Sequence, residues 1–237
     1  MNKADVIERL VHFHLSRQEA QVYLCLMEHG SLTGYEASKL TGISRSNVYG
    51  ALSSLVDKGA AMVQESGNPT YYKAVDANEF FDNQMRALER DREYLLEHMP
   101  KTVQSSDGYL TIQGADNILN KAIHMISGCE MRLYLAASKA IVEQLVPVLK
   151  KALKRELKVV IISDHDYHEL STSFYLDKPE EGQIRLITDS TYVLTGELTG
   201  SSNDTCLYSG RENLVTVMKE ALRNKIKLLE IEGINKD

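Results

Sequence analysis

Apolar residues in the first sixty positions recur at intervals of three and four, and each run opens on a polar capping signal and closes on glycine. Ser16 and Glu19 have the S-x-x-E spacing of a capping box, with Leu15 placed as a hydrophobic staple; Ala20, Tyr23, Leu24 and Met27 then supply an apolar face that ends at Gly30. Thr33 and Glu36 repeat the box before a short helix carrying Tyr35, Ala37 and Leu40, which stops at the turn residue Gly42. Ser44 caps a third helix whose Val48, Leu52, Leu55 and Val56 share one face, and Gly59 sits where a C-terminal cap belongs. Next, "AAMVQESGNPTYYKAV" sets two β-prone runs around Ser66-Gly67-Asn68-Pro69, the pattern of a hairpin. Three helices and a hairpin over residues 1–75 predict an α+β winged helix-turn-helix domain.

A helical connector is predicted over 76–103. Asp76 and Glu79 start it, and neither glycine nor proline interrupts it before Pro100. Phe81, Met85, Leu88, Leu95 and Met99 alternate at four and three, with Arg92 in the remaining seam position, which is coiled-coil spacing suited to dimerisation. The same pattern also fits an amphipathic helix packed on its own C-terminal domain. "QSSDG", Gln104 to Gly108, reads as a linker. From residue 107 to 237, strands and helices alternate: "YLTIQG", a helix from Ala115 to Ile126, "MRLYLAA", a helix from Lys139 to Arg155, and "KVVIIS". Then come "QIRLIT", "TYVLTGEL", "DTCLYS" and a last helix from Arg211 to about Leu229. This order predicts an α/β domain. Pro147 predicts a kink or a delayed start in the second of these helices.

Charge narrows the choice of partners. A formal net charge of -6 and a pI near 5.7 exclude a global positive field, so any nucleic-acid binding must be local. The first domain is itself neutral: Lys3, Arg9, Arg17, Lys39, Arg45, Lys58 and Lys73 are matched by Asp5, Glu8, Glu19, Glu28, Glu36, Asp57 and Glu65. Cys25, Cys129 and Cys206 lack the spacing of a disulfide framework or zinc site and read as reduced thiols. No long uncharged apolar run is present, so the sequence reads as cytoplasmic, with no membrane partner.

On the third helix, the side opposite the core stripe holds Ser46, Asn47, Gly50, Ser53, Ser54 and Asp57, most of them small or uncharged. Such a face lets backbone approach base edges, with Asn47 able to pair with adenine and Arg45 able to reach phosphate or guanine. The predicted DNA-contacting set is Ser44, Arg45, Ser46, Asn47, Tyr49, Gly50 and Ser53, with Gly67, Asn68 and Lys73 on the wing. A winged helix used only for protein contacts is the alternative.

The motifs "EAQVYLCLMEHG", "SRSNVYGALSSLVDKG" and "GNPTYYKAV" give this region a marked similarity to the N-terminal domain of TrmB-like transcriptional regulators. The resemblance implies a sequence-specific DNA-binding winged helix with the third helix as reader; the family often has a basic residue where Asn47 stands. Further on, "IRLITDSTYVLTGEL" and "RENLVTVMKEAL" resemble the same family's C-terminal domain, which is similar to the phospholipase D fold. That fold's catalysts need a histidine followed two positions later by lysine, and none of the seven histidines here is so followed. The resemblance therefore implies a sensor rather than an enzyme.

Loops after strands supply the candidate ligand residues Ser138, Ser163, Asp164, His165 and Asp189. "SDHDYHE" has the composition of a metal site, in His165, Asp166 and His168, and equally that of a solvated loop; no metal and no cofactor is expected. "HFH", His12 to His14, reads as flanking a helix or a dimer contact. The expected protein is a homodimeric regulator on a palindromic double-stranded DNA operator, with a small-molecule effector such as a sugar. The alternatives are a phosphodiesterase-like or other enzyme whose winged helix docks protein, and a regulator without a ligand.

Overall fold

Local capping fixes where the helices of the first half begin. The computed structural model describes residues 2–64, 69–100 and 108–234, the last three as backbone only. The chain divides into two compact units, Met1–Lys101 and Thr102–Asp237. The first opens with α1 (Lys3–Val11), capped by Asn2, a helix the sequence reading left out although Val6, Ile7 and Leu10 reach the core. Helix α2 (Arg17–His29) starts at the Ser16–Glu19 box, with both reciprocal hydrogen bonds present, and α3 (Gly34–Thr41) starts at the equivalent Thr33–Glu36 box. A left-handed Gly42, at φ 73°, ends α3, and α4 (Arg45–Asp57) follows from its cap Ser44. At the far end of α4, Gly59 N–H donates to Val56 O and Ala60 N–H to Leu55 O, at 3.0 and 2.8 Å, a Schellman arrangement that the positive φ of Gly59 permits.

Strand β1 (Leu32–Thr33) joins β2 (Ala61–Gln64) and β3 (Tyr71–Ala74) in an antiparallel sheet of order β1-β3-β2. Val63 faces Tyr72 across the hairpin, and Leu32 faces Tyr72 on the other edge. Helix α5 (Ala77–His98) leaves from Asp76, whose carboxylate caps Asn78 and Glu79 N–H groups. Its first turn belongs to the core of the unit. Phe80 is fully buried against Tyr23, and burial of such a ring contributes about 1.5–3 kcal/mol.

The second unit is a three-layer structure whose sheet has the order β4-β10-β9-β8-β5-β6-β7. Its elements are β4 (Leu110–Gln113), α6 (Ala115–Gly128), β5 (Arg132–Ala137), α7 (Lys139–Lys154), β6 (Lys158–Ser163), β7 (Ser173–Leu176), β8 (Gln183–Thr188), β9 (Tyr192–Glu197), β10 (Thr205–Ser209) and α8 (Glu212–Ile234). Two-residue alternation sorts the side chains. Leu133, Leu135, Val159, Ile161, Ile184 and Leu186 pack with α6 and α7, whereas Ala136, Ile162, Ile187 and Val193 pack with α8. Among the described strands only β5–β6 and β6–β7 are parallel; the β8, β9 and β10 pairings are antiparallel, so the strand–helix alternation read from the sequence as far as β6 is built into a mixed sheet rather than a parallel one. Helix α7 starts at Lys139 without delay and carries Pro147 inside it, on an exposed position where water can satisfy the carbonyl freed by the missing N–H. The three cysteines are buried and unpaired, and burial pushes the Cys206 thiol up to about 12. Among the described residues, no helix is long and apolar enough to cross a membrane.

Candidate functional site

Helix α4 is held from both ends. Val48, Ala51, Leu52 and Leu55 bury its inner face. At its C-terminal end the Lys58 ammonium donates to Glu19 Oε2 at 2.6 Å and to His14 O at 2.8 Å, while Glu19 also accepts from Ser16 N–H at 2.7 Å. One carboxylate thus caps α2 and ties it to the end of α4. Burial raises the Glu19 pKa, but hydrogen bonds from Lys58, Ser54 and Ser16 outweigh it and hold the carboxyl below its ordinary value.

Ser44, Arg45, Ser46, Asn47, Tyr49, Gly50 and Ser53 are all exposed. Ser54 is not on this outer face: it is half-buried and turned toward Glu19, because the helix rotates it to the flank of the core stripe. The first N–H groups of α4 lack intrahelical acceptors, as at any helix start. Two features brace the face. The Arg45 guanidinium lies 4.4 Å from the centre of the Tyr35 ring, a cation–π contact that carries the charge on the start of α3. The Tyr49 ring lies flat against the backbone of Gly34, so closely that a Cβ there would fall 2.5 Å from Tyr49 Cε1.

Between this face and β3 runs a shallow groove of about 460 Å³, lined in part by Tyr35, Tyr49, Pro69, Thr70 and Tyr71. Glu36 stands at its edge; its hydrogen bonds from the Thr33 N–H and hydroxyl, both 2.8 Å, lower its pKa and keep it anionic. Lys73 is exposed on β3, while Gly67 and Asn68 lie outside the described residues. Sequence reasoning missed Tyr35, Gly34 and Tyr71 as parts of this surface. The Gly-Tyr pair opening α3 was the available signal, but its partner is fifteen residues away.

The connector residues fall into two groups. Phe81 is half-buried with its ring centre 4.6 Å from that of Phe13, so it belongs to the first unit's own core rather than to a free seam. Met85, Leu88, Leu95 and Met99 are 45–62% exposed, and Arg92 pairs with Glu89 at 2.7 Å. Tyr94 and Leu96 are exposed beside them.

In the second unit the candidate ligand residues do not all converge: Ser163 and Asp164 meet the start of α7 beside Ser138, whereas Asp189 is elsewhere. Asp164 Oδ1 accepts from Lys139 N–H at 2.7 Å, so it caps α7 in place of Ser138, whose side chain makes no cap; Ser163 is buried and hydrogen-bonded to Asp164. His165 is exposed, edge-on to Tyr167. Asp189 is at the opposite end of the sheet, because β8 runs antiparallel to β5. Its carboxylate accepts from the N–H groups of Glu130, Met131 and Arg132 at 2.7–3.0 Å and from the Cys129 thiol, tying down the turn before β5. Burial opposes ionisation of Asp189, but these donors prevail and lower its pKa. Asp166 and His168 pair at 2.6 Å on the surface, and no cluster of three or more potential metal ligands occurs among the described residues.

Comparison with known proteins follows the same two-part division. Residues 10–78 match the family model described as sugar-specific transcriptional regulator TrmB, and residues 109–221 match transcriptional regulator TrmB, EBD N-terminal subdomain. The uncharacterized protein YrhO of Bacillus subtilis is 26% identical over 97% of this chain and 87% of its own length. TrmBL2 of Pyrococcus furiosus, named as a putative HTH-type transcriptional regulator, is 26% identical over 78% of this chain and 77% of its own. A solved structure of TrmBL2, described as an archaeal chromatin protein with a novel mode of DNA binding, is 22% identical, covers 96% of this chain and 99% of that one, and has a TM-score of 0.44. Nuc from Salmonella typhimurium, a phospholipase D family member, is 15% identical over 52% of this chain and 95% of its own, with a TM-score of 0.41.

Proposed function

Given that this chain belongs to the TrmB family and is a DNA-binding transcriptional regulator, we propose that its first unit is a winged helix-turn-helix that lays α4 in the major groove of an operator. The observation that carries this is the exposed, small-residue outer face of α4, with Arg45 braced on Tyr35 and Tyr49 on Gly34. A B-DNA major groove about 12 Å wide admits one helix, and a face bearing Gly50, Ser46 and Ser53 can approach base edges without a steric barrier. Asn47 is the reader of a base, Arg45 and Tyr49 hold the backbone, and Lys73 on the hairpin contacts flanking phosphate.

A single neutral module binds phosphate weakly, so two modules act together on a two-fold operator. The exposed row Met85, Leu88 and Leu95 on α5, with Met99 just past its end, supports pairing between subunits. The second unit receives a small-molecule signal that changes the placement of the two reading helices, which requires the effector to bind the free and operator-bound states unequally. The absence of a histidine-x-lysine pair supports a regulator over a phosphodiesterase.

Sequencing the genomic fragments that the purified protein retains tests the reading. A shared two-fold-symmetric motif is expected. Retention without any preferred fragment at low salt refutes it. In Asn47→Ala, base preference relaxes at one position per half-site at a cost of roughly 1–3 kcal/mol. Uniform weakening across sequences instead makes Asn47 a backbone contact.

A further inference from the structure

The face of the sheet covered by α8 is not completely filled. Near the end where β5, β6 and β7 begin, helix and sheet border a partly open cavity of about 360 Å³. Its floor is apolar, formed by Val160 and Ile187 of the sheet and by Leu222 and Ile226 of α8. Its wall is strongly cationic. Arg132 and Lys158, the first residues of β5 and β6, stand across from Lys219, Arg223 and Lys227, which are four apart and share one face of α8. None of these five cations has an ion-pair partner among the described residues. The one carboxylate in the lining, Glu230, accepts a hydrogen bond from the Tyr175 hydroxyl at 2.9 Å.

Such a concentration of like charge is unexpected in a chain of formal net charge -6, and like charges four apart on a helix repel. Concavity, an apolar floor and a few convergent polar groups mark a small-molecule site, and the sign of the charge identifies the ligand as an anion. Two arginines favour phosphate, whose oxygens match the guanidinium fork. The hydroxyls of Tyr134, Ser173 and Ser190 are available to a polar organic part. None of Ser138, Ser163, Asp164, His165 and Asp189 lines this cavity.

We propose that the cavity between α8 and the sheet binds a phosphorylated small metabolite, with its phosphate held by Arg132, Arg223 and the neighbouring lysines and its organic part on the apolar floor. This deepens the reading of the second unit as a sensor and rests on it only for the effect on DNA; binding itself is measured without DNA.

The test is calorimetry on the full chain at low ionic strength, with glucose 6-phosphate, inorganic phosphate and glucose as probes. The two phosphates bind and glucose does not. Arg223→Gln weakens phosphate binding roughly tenfold or more, the loss of one charge-assisted contact. Lys225→Gln is the control on the same helix, because its ammonium pairs with Asp177 at 2.8 Å outside the cavity; it leaves affinity within about twofold. Both side chains are exposed, and thermal unfolding confirms that both variants fold. The proposal is overturned if neither phosphate binds at millimolar concentration, if glucose binds as well as its phosphate, or if Lys225→Gln loses as much as Arg223→Gln. Operator binding without added phosphate is measured in parallel and stays at the wild-type level in Arg223→Gln. If that variant loses operator affinity while the wild type binds no small anion, the patch contacts the DNA backbone, which overturns the cavity and leaves the regulator reading standing.

Discussion

Replacing Gly34 by alanine separates folding from DNA recognition, because the atoms nearest the added Cβ belong to Tyr49 of the proposed reading face. The new methyl falls 2.5 Å from Tyr49 Cε1 and 2.6 Å from Cζ, whereas carbon atoms rest at about 3.5–4.0 Å, so the ring must retreat by about 1 Å. Tyr49 is 48% exposed and free to swing outward. An off-rotamer side chain costs about 0.5–1.5 kcal/mol. Exchanging glycine for alanine in a helix gains up to about 1 kcal/mol. The two nearly cancel, so stability changes by no more than about 1 kcal/mol, a shift of a few degrees in Tm. Operator affinity behaves differently. Displacing a hydroxyl that bonds a phosphate oxygen costs about 1–2 kcal/mol, or roughly 5- to 30-fold in Kd. Fluorescence anisotropy with an operator fragment at fixed salt, alongside thermal unfolding, measures both. In the Gly34→Ala background, a further Tyr49→Phe change has almost no additional effect on binding, although it costs several-fold alone. Wild-type affinity in Gly34→Ala refutes the role of Tyr49. A loss of stability above about 3 kcal/mol shows instead that the ring is a fixed part of the core.

Glu19→Gln keeps the Ser16 cap acceptor but removes the charge that holds Lys58, which costs about 1–2 kcal/mol because the lysine is partly free to reach water. The Glu19 pKa is lowered in the folded state, so its contribution is full above the unfolded value near 4.3 and is lost as pH falls through the folded pKa. Denaturant midpoints of the two proteins therefore draw together as pH falls below the unfolded value and meet once it has passed the lowered folded pKa, and a gap that stays constant through acid refutes the ionic account. Asp189→Asn retains a residue that tolerates its φ of 50° but replaces one acceptor oxygen with a donor facing N–H groups, costing about 2 kcal/mol by denaturant unfolding. Unchanged stability returns Asp189 to the pool of ligand candidates. The double change Leu88→Glu with Leu95→Glu leaves monomer stability within about 0.5 kcal/mol, since both side chains are exposed. It shifts sedimentation from dimer to monomer, with loss of about 1.5–3 kcal/mol for each leucine removed from the seam; an unchanged sedimentation profile refutes the α5 interface.

Elements with local causes were readable along the chain. The boxes at Ser16 and Thr33, the Gly42 turn and the Gly59 cap act within four or five residues, so pattern alone locates α2, α3 and α4. Helix α1 escaped because its charges masked a short apolar stripe. β1 is two residues, too short for a period to register, and β7 has no buried–exposed alternation along its four; each pairs with a neighbouring strand that supplies hydrogen bonds. The outer face of α4 could be listed from the sequence, but its bracing could not, because Tyr35 and Gly34 are on another helix.

The sequence by itself determined the capped helices, the hairpin strands, the alternating faces of the central strands and the small polar surface of α4, since each depends on residues a few positions apart. Tertiary structure alone decided strand direction, and with it the meaning of the loop residues. Antiparallel β8 carries Asp189 away from Ser138 and Asp164 and turns it into a clamp on the turn before β5. Layer packing also brought Arg132 and Lys158 opposite α8, which begins more than fifty residues later in the chain. Spacing cannot encode such meetings, because they depend on how whole layers pack rather than on where the chain turns next.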